Sequence, residues 1–120
     1  MITIQALKGF GADTETGLAR CMKKEDFYLR LVDMSLKEPR FEQLQEAMRQ
    51  KDYKQAFEYC HSLKGVVGNL ALDPLYKEIC ELTEALRPLS SNDPSAGSDG
   101  AALDSLCQKI TQTRDALLKM

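Results

Sequence analysis

Apolar residues in this chain recur three and four positions apart and nowhere alternate over a strand's length, so helices are the regular element able to bury them. Proline and capping residues cut the pattern into pieces. From about Lys24, the residues Phe27, Leu31, Met34 and Leu36 make one stripe, which stops near Glu38 because Pro39 disfavours a helical residue before it. Pro39 then suits the first turn of a second helix, with Phe41, Leu44, Ala47 and Met48 as its stripe. Lys51 and Asp52 break the pattern again. Asp52 followed by Gln55 resembles a capping box, and the next helix runs from Tyr53 to about Ala71. Asp73-Pro74 is a further start signal, a capping aspartate with proline at the first helical position. That helix carries Leu75, Ile79, Leu82 and Leu86 and ends at Arg87-Pro88. A last helix, about Ala101 to Leu118, uses Leu103, Leu106, Ile110, Thr113 and Leu117.

Two stretches fall outside this pattern. Residues 1–12 carry Gly9 and Gly11 and little periodicity, which predicts an extended lead-in; Asp13 or Thr14 then caps a short helix through Leu18 and Met22. Residues 89–100 are rich in Ser, Pro, Asp and Gly, which predicts a long, mobile polar loop. A chain of 120 residues holds one core and is too short for two ordinary ones. The expected fold is all-α: an antiparallel four-helix bundle over residues 13–120, with a short extra N-terminal helix. The helices that start at Glu25 and Pro39 are expected to pack as neighbours, as are those from Tyr53 and Asp73.

Composition removes several classes of function. Lys and Arg number 16 against 18 Asp and Glu, a formal net charge of −2, so no basic footprint invites nucleic acid. No apolar run is long enough to span a bilayer, and Met1 to Lys8 lacks the basic start and long apolar core of a signal peptide. A cytoplasmic setting without membrane contact is the expectation, although a domain of a larger membrane protein would read alike. Cys21, Cys60, Cys80 and Cys107 form no C-x-x-C pair, and one histidine cannot complete a zinc site; buried reduced thiols are the better reading. There is no G-x-x-x-x-G-K-[ST] loop and no carboxylate cluster for magnesium, so neither an ATP site nor a resident metal is expected.

The chain's single histidine lies in His61-Ser62-Leu63-Lys64-Gly65-Val66-Val67-Gly68-Asn69. On a helical wheel Ala56, Tyr59, Leu63, Val66, Val67 and Leu70 gather on the core side, and His61 points nearly opposite. Beside it fall Lys54, Phe57, Glu58, Lys64, Gly65 and Gly68. Glycine inside a helix costs roughly 1 kcal/mol relative to alanine. Two of them flanking an outward histidine suggest clearance for something that must approach the imidazole. An imidazole nitrogen is a competent nucleophile near neutral pH, and Lys64, one turn along the same face, offsets the charge of a phosphoryl group. Phe57 is a large apolar residue placed to pack against a docking partner or, equally, against a neighbouring helix. Lys54 and Glu58 read as solvated charges at the margin of that docking face.

The H-x-x-K-G string resembles the signature of histidine-containing phosphotransfer (HPt) domains. The likeness extends to Gly68-Asn69-Leu70, the Asp73-Pro74 restart, the stretch with Glu81, Glu84 and Ala85, and upstream to Gly17-Leu18-Ala19-Arg20 and Phe27-Tyr28-Leu29. It covers about Gly11 to Arg87, with the last helix matching in pattern alone. It implies a bundle that exposes its histidine to the phosphoaspartate of a receiver domain, in a response regulator or a hybrid sensor kinase. His61 would be the phosphoacceptor, Lys64 its electrostatic support and Gly65 the clearance. Magnesium would come with the receiver, and the protein would be a monomeric phosphocarrier without a cofactor of its own. Ala71 departs from the family, standing where many members have glycine, and the 89–100 loop is long for it. The competing reading is a helical docking module whose His61 face binds a signalling partner without chemistry. A metal-binding or redox bundle lacks the ligands.

Overall fold

The structure is a computed structural model that describes residues 2–90 and 100–120. Among these, every regular element is a helix: α1 (Ile4–Phe10), α2 (Thr14–Arg20), α3 (Glu25–Leu36), α4 (Arg40–Arg49), α5 (Tyr53–Asn69), α6 (Asp73–Ser90) and α7 (Gly100–Leu118). The all-α expectation holds. The loop expected over 89–100 falls largely outside the described residues; Leu89 and Ser90 belong to α6 and Gly100 to α7.

Capping residues start the helices as their chemistry dictates. The Asp13 carboxylate accepts the Thr16 N–H at 3.2 Å and its hydroxyl at 2.7 Å, and Asp52 accepts the Gln55 N–H at 3.3 Å. Asp73 is itself the first residue of α6 rather than its cap, and the Leu72 carbonyl accepts the Tyr76 N–H at 2.9 Å. Residues 1–12 are not extended. The Thr3 hydroxyl accepts the Ala6 N–H at 3.1 Å, Gly11 closes α1 at φ 108°, and Leu7 is fully buried. A helix this short offers one buried side chain, too few for a period to register in the sequence. At the other end, α6 runs past Pro88 to Ser90, whose hydroxyl donates to the Arg87 carbonyl at 2.8 Å. Leu86 is buried and Leu89 half-buried against the core, and those contacts carry the last turn across the proline's missing N–H.

The four helices α4 to α7 close a ring, in which α5 lies between α4 and α6, and α7 between α6 and α4. The pairing expected for the helices from Tyr53 and Asp73 is present as α5 against α6. The pairing expected for the helices from Glu25 and Pro39 is not: α3 lies chiefly beside α7 and α2. It follows α4 end to end along one corner. Arg114 of α7 marks the junction, donating to the Leu36 carbonyl at 3.1 Å and pairing with Glu42 at 2.9 Å. The connections at residues 50–52 and 70–72 are equally short and do fold their helices back, so the length of the Lys37–Pro39 break does not set this course; the contacts of Arg114 across the junction favour it. The molecule measures 48 × 23 × 21 Å, which is two helix diameters in cross-section.

The core confirms the stripes of α4 and α6 residue for residue: Phe41, Leu44, Ala47 and Met48, then Leu75, Ile79, Leu82 and Leu86. Except at Leu36, which is buried as expected, the α3 stripe lies one position on from the expected one. Tyr28, Val32, Ser35 and Leu36 are buried, while Phe27 is 38% exposed and Met34 60% exposed. Both registers satisfy helical spacing, and packing chose between them: the Tyr28 hydroxyl donates to the Leu70 carbonyl at 2.9 Å, fastening α3 to the end of α5. Cys21, Cys60 and Cys107 are buried, Cys80 is half-buried, and all four are free thiols.

Candidate functional site

Burial of Ala56, Cys60, Leu63 and Val67 fixes the rotation of α5 and turns the opposite face outward. His61 and Gly65 are exposed on that face, and Lys64 is half-exposed beside them. The His61 ring stacks on Phe57, centroids 6.2 Å apart and planes 17° from parallel. Phe57 is half-buried against the core, and the Arg87 guanidinium carbon sits 5.3 Å from its ring centroid. Arg87 pairs with Glu84 at 2.9 Å. The hydrogen bond from Arg87 holds the Glu84 carboxyl below its usual range, with a smaller contribution from Lys64. The imidazole therefore lies beside an aromatic and charged layer contributed jointly by α5 and α6.

On its other side His61 borders a shallow hollow shared with Lys64, Gly65, Asn69, Arg20, Asp73 and Tyr76. A Cβ built on Gly65 meets nothing within 4 Å, so no contact inside the fold requires a glycine at this position on the His61 face. Gly68 differs. A Cβ there would lie 2.8 Å from Cε2 of Tyr76, so this glycine lets α6 pack closely against α5. Its presence is accounted for inside the fold. A second groove, between α3 and α5, is lined by Leu31, Met34, Val66 and Leu70 and meets the first at Gly65 and Asn69.

Of the residues singled out from sequence, the structure brings His61, Lys64, Gly65 and Gly68 together around one hollow and stacks Phe57 on its edge. Lys54 and Glu58 are exposed and line neither depression. Nothing in the sequence marks Arg20, Asp73 and Tyr76 as neighbours of His61 in the hollow, and Arg87 reaches it only by way of the Phe57 ring. Asp73 reads as a helix signal and Arg20 as part of a likeness, and no local pattern ties either to the histidine. The packing of α2 and α6 over the end of α5 brings them there. Among the described residues, no three His, Cys, Asp or Glu side chains gather where they would hold a metal ion, and no helix is long and apolar enough to cross a membrane.

The sequence model of the Hpt domain matches residues 37–116, two thirds of the chain and the whole of the α4–α7 ring up to its last turn. The chain belongs to the Hpt domain family. No curated protein and no solved structure matched it. Membership implies phosphotransfer in two-component signalling, in which Hpt domains act as phosphocarriers alongside receiver domains. His61 lies inside the matched segment, whereas Arg20 and the rest of α1–α3 before Lys37 lie outside it.

Proposed function

We propose that this Hpt domain is a phosphorelay intermediate that accepts a phosphoryl group on His61 from a receiver aspartate and returns it by the reverse step. The observation that carries the reading is the outward imidazole of α5, with Lys64 one turn along and open space above Gly65. In the step, an imidazole nitrogen attacks the phosphorus of the aspartyl phosphate. The P–N bond forms as the P–O bond to the carboxylate breaks, and the departing carboxylate carries the electron pair. The ring proton passes to solvent. Lys64 offsets the charge that arrives, and positioning supplies most of the rest. The receiver brings the magnesium ion, so the carrier needs no metal site. The apolar groove of Leu31, Met34 and Val66 beside Gly65 supports docking of a partner over the same face. A cytoplasmic monomer fits this role.

The experiment is intact mass after mixing with a panel of phosphorylated receiver domains and magnesium. A gain of one acid-labile phosphoryl group, absent in His61→Gln, is the expected result. Tight binding of a receiver with no mass gain would replace the carrier by a docking module.

A further inference from the structure

Arg20 enters the His61 hollow from a part of the chain that the family match does not reach. Its Nη1 donates to the carbonyls of Gly68 at 2.8 Å and Asn69 at 3.1 Å at the end of α5, where the Gly68 carbonyl also accepts the Ala71 N–H at 3.1 Å. Two hydrogen bonds to backbone fix the guanidinium, and they occupy one of its three nitrogens. Capping α5 therefore leaves donors and a full charge on an exposed side chain at the rim of the hollow. The charges around that rim are Arg20 and Lys64, from two different helices, with Asp73 as the one acid lining it; Glu84 is engaged by Arg87 on the far side of His61. An aspartyl phosphate approaching His61 brings negative charge into the space between the two cations.

We propose that Arg20 is a docking cation of the His61 site, contributed by α2, that draws the phosphorylated acidic site of the partner into the hollow and sets affinity rather than the chemical step. This rests on the phosphocarrier reading for the identity of the partner. A rim charge of this kind acts on encounter and its salt dependence. A cap alone would act on stability.

Arg20→Gln keeps amide donors for the two carbonyls and removes the charge; Arg20→Lys keeps the charge. Transfer is measured from the receiver domain that phosphorylates the wild-type protein fastest, over a range of receiver concentrations, at low and high salt. In Arg20→Gln, KM is expected to rise roughly three- to tenfold at low salt, with kcat within about twofold and a flatter salt dependence. Arg20→Lys should recover most of the loss, and the melting temperature of Arg20→Gln should match wild type. Unchanged KM and salt dependence in Arg20→Gln, or losses in both variants that track lowered melting temperatures, would reduce Arg20 to a helix cap. Binding of the same receivers carrying beryllofluoride, measured in the His61→Gln background, separates the two ideas. If Arg20→Gln weakens that binding while the wild-type protein never gains a phosphoryl group, the docking role stands and the carrier role falls. Binding indifferent to Arg20 overturns the docking role whatever the transfer result.

Discussion

Gly65 and Gly68 sit three residues apart on one helix for different physical reasons, and substitution separates them. At Gly65 a new side chain meets open space, so Gly65→Ala should gain up to about 1 kcal/mol from helix propensity alone. Gly65→Gln should likewise keep the fold. By standing in the approach to His61 it should cut transfer from a phosphorylated receiver by at least tenfold, a rough figure for loss of near-attack geometry. Retained transfer in a well-folded Gly65→Gln would show that clearance is not its function. At Gly68 the same propensity gain is opposed by a Cβ set 2.8 Å from Tyr76 Cε2 and 3.1 Å from Cδ2. Overpacking of this kind costs about 1–3 kcal/mol, so Gly68→Ala should be destabilising in urea melts. In a Tyr76→Ala background the same substitution should become stabilising. Lys64→Ala should slow transfer or shorten the phosphohistidine lifetime without abolishing either, since an exposed charge contributes modestly.

At the scale of the elements, three helices end on side chains held where glycine is the easier residue. Met22, Lys51 and Ala71 take φ values of 57°, 57° and 58°. After α4 the Lys51 N–H bonds to the Met48 carbonyl at 3.1 Å and the Asp52 N–H to the Ala47 carbonyl at 2.8 Å, the paired bonds of a Schellman turn. Lys51 is exposed, so Lys51→Gly loses no packing and should stabilise by about 0.5–1 kcal/mol in a denaturant titration. Ala71 is 4% exposed, and its buried methyl group opposes the same gain. That is the physical content of an alanine at a position where glycine is common. The start of α2 carries a pH dependence. Hydrogen bonds from Thr16 hold the Asp13 carboxyl below its ordinary value of 3.8, so the folded state binds that proton less readily than the unfolded chain. The stabilisation is present above 3.8 and is lost as the pH falls through the lower folded value. Asp13→Asn keeps a capping oxygen and should flatten the acid limb of a curve of urea midpoint against pH.

For the molecule as a whole, the joint at α3, α4 and α7 is held by one side chain. Arg114 is almost fully buried; it donates to the Leu36 carbonyl, pairs with Glu42 and lies 5.1 Å over the Phe41 ring. Its Nε is 2.9 Å from Asp115 Oδ1, an ion pair off the line of a hydrogen bond, so the charge is balanced although that N–H has no aligned acceptor. Arg114→Ala removes packing and leaves the Leu36 carbonyl without this donor, while the exposed Glu42 and Asp115 carboxylates pass to solvent, so the loss is about 1–3 kcal/mol, the cost of an unsatisfied buried acceptor. Tyr28→Phe, which removes the hydroxyl bond to Leu70, should cost about 1 kcal/mol. Guanidinium unfolding with an unchanged m-value would check both. Loss of cooperativity in Arg114→Ala would show that α3 separates from the ring before the rest unfolds.

Much of this was readable in one dimension. Helical class, the starts at Asp13 and Asp52, the core stripes of α4 and α6, and the outward direction of His61 follow from spacing and capping, because each depends on residues within a few positions of one another. The register of α3 does not, since Phe27-Leu31-Met34 and Tyr28-Val32-Ser35 are both valid helical faces, and the contact of Tyr28 with Leu70 chose the second. Nor does the end-to-end course of α3 and α4, which depends on Arg114 far along the chain, or the presence of Arg20 beside His61, which depends on α2 lying across the end of α5. Local periodicity determined the helices and the direction the histidine faces. It also placed Phe57 and Lys64 beside it on the same helix, whereas long-range packing alone brought Arg20, Asp73 and Tyr76 there, because these come from helices whose own patterns carry no trace of α5.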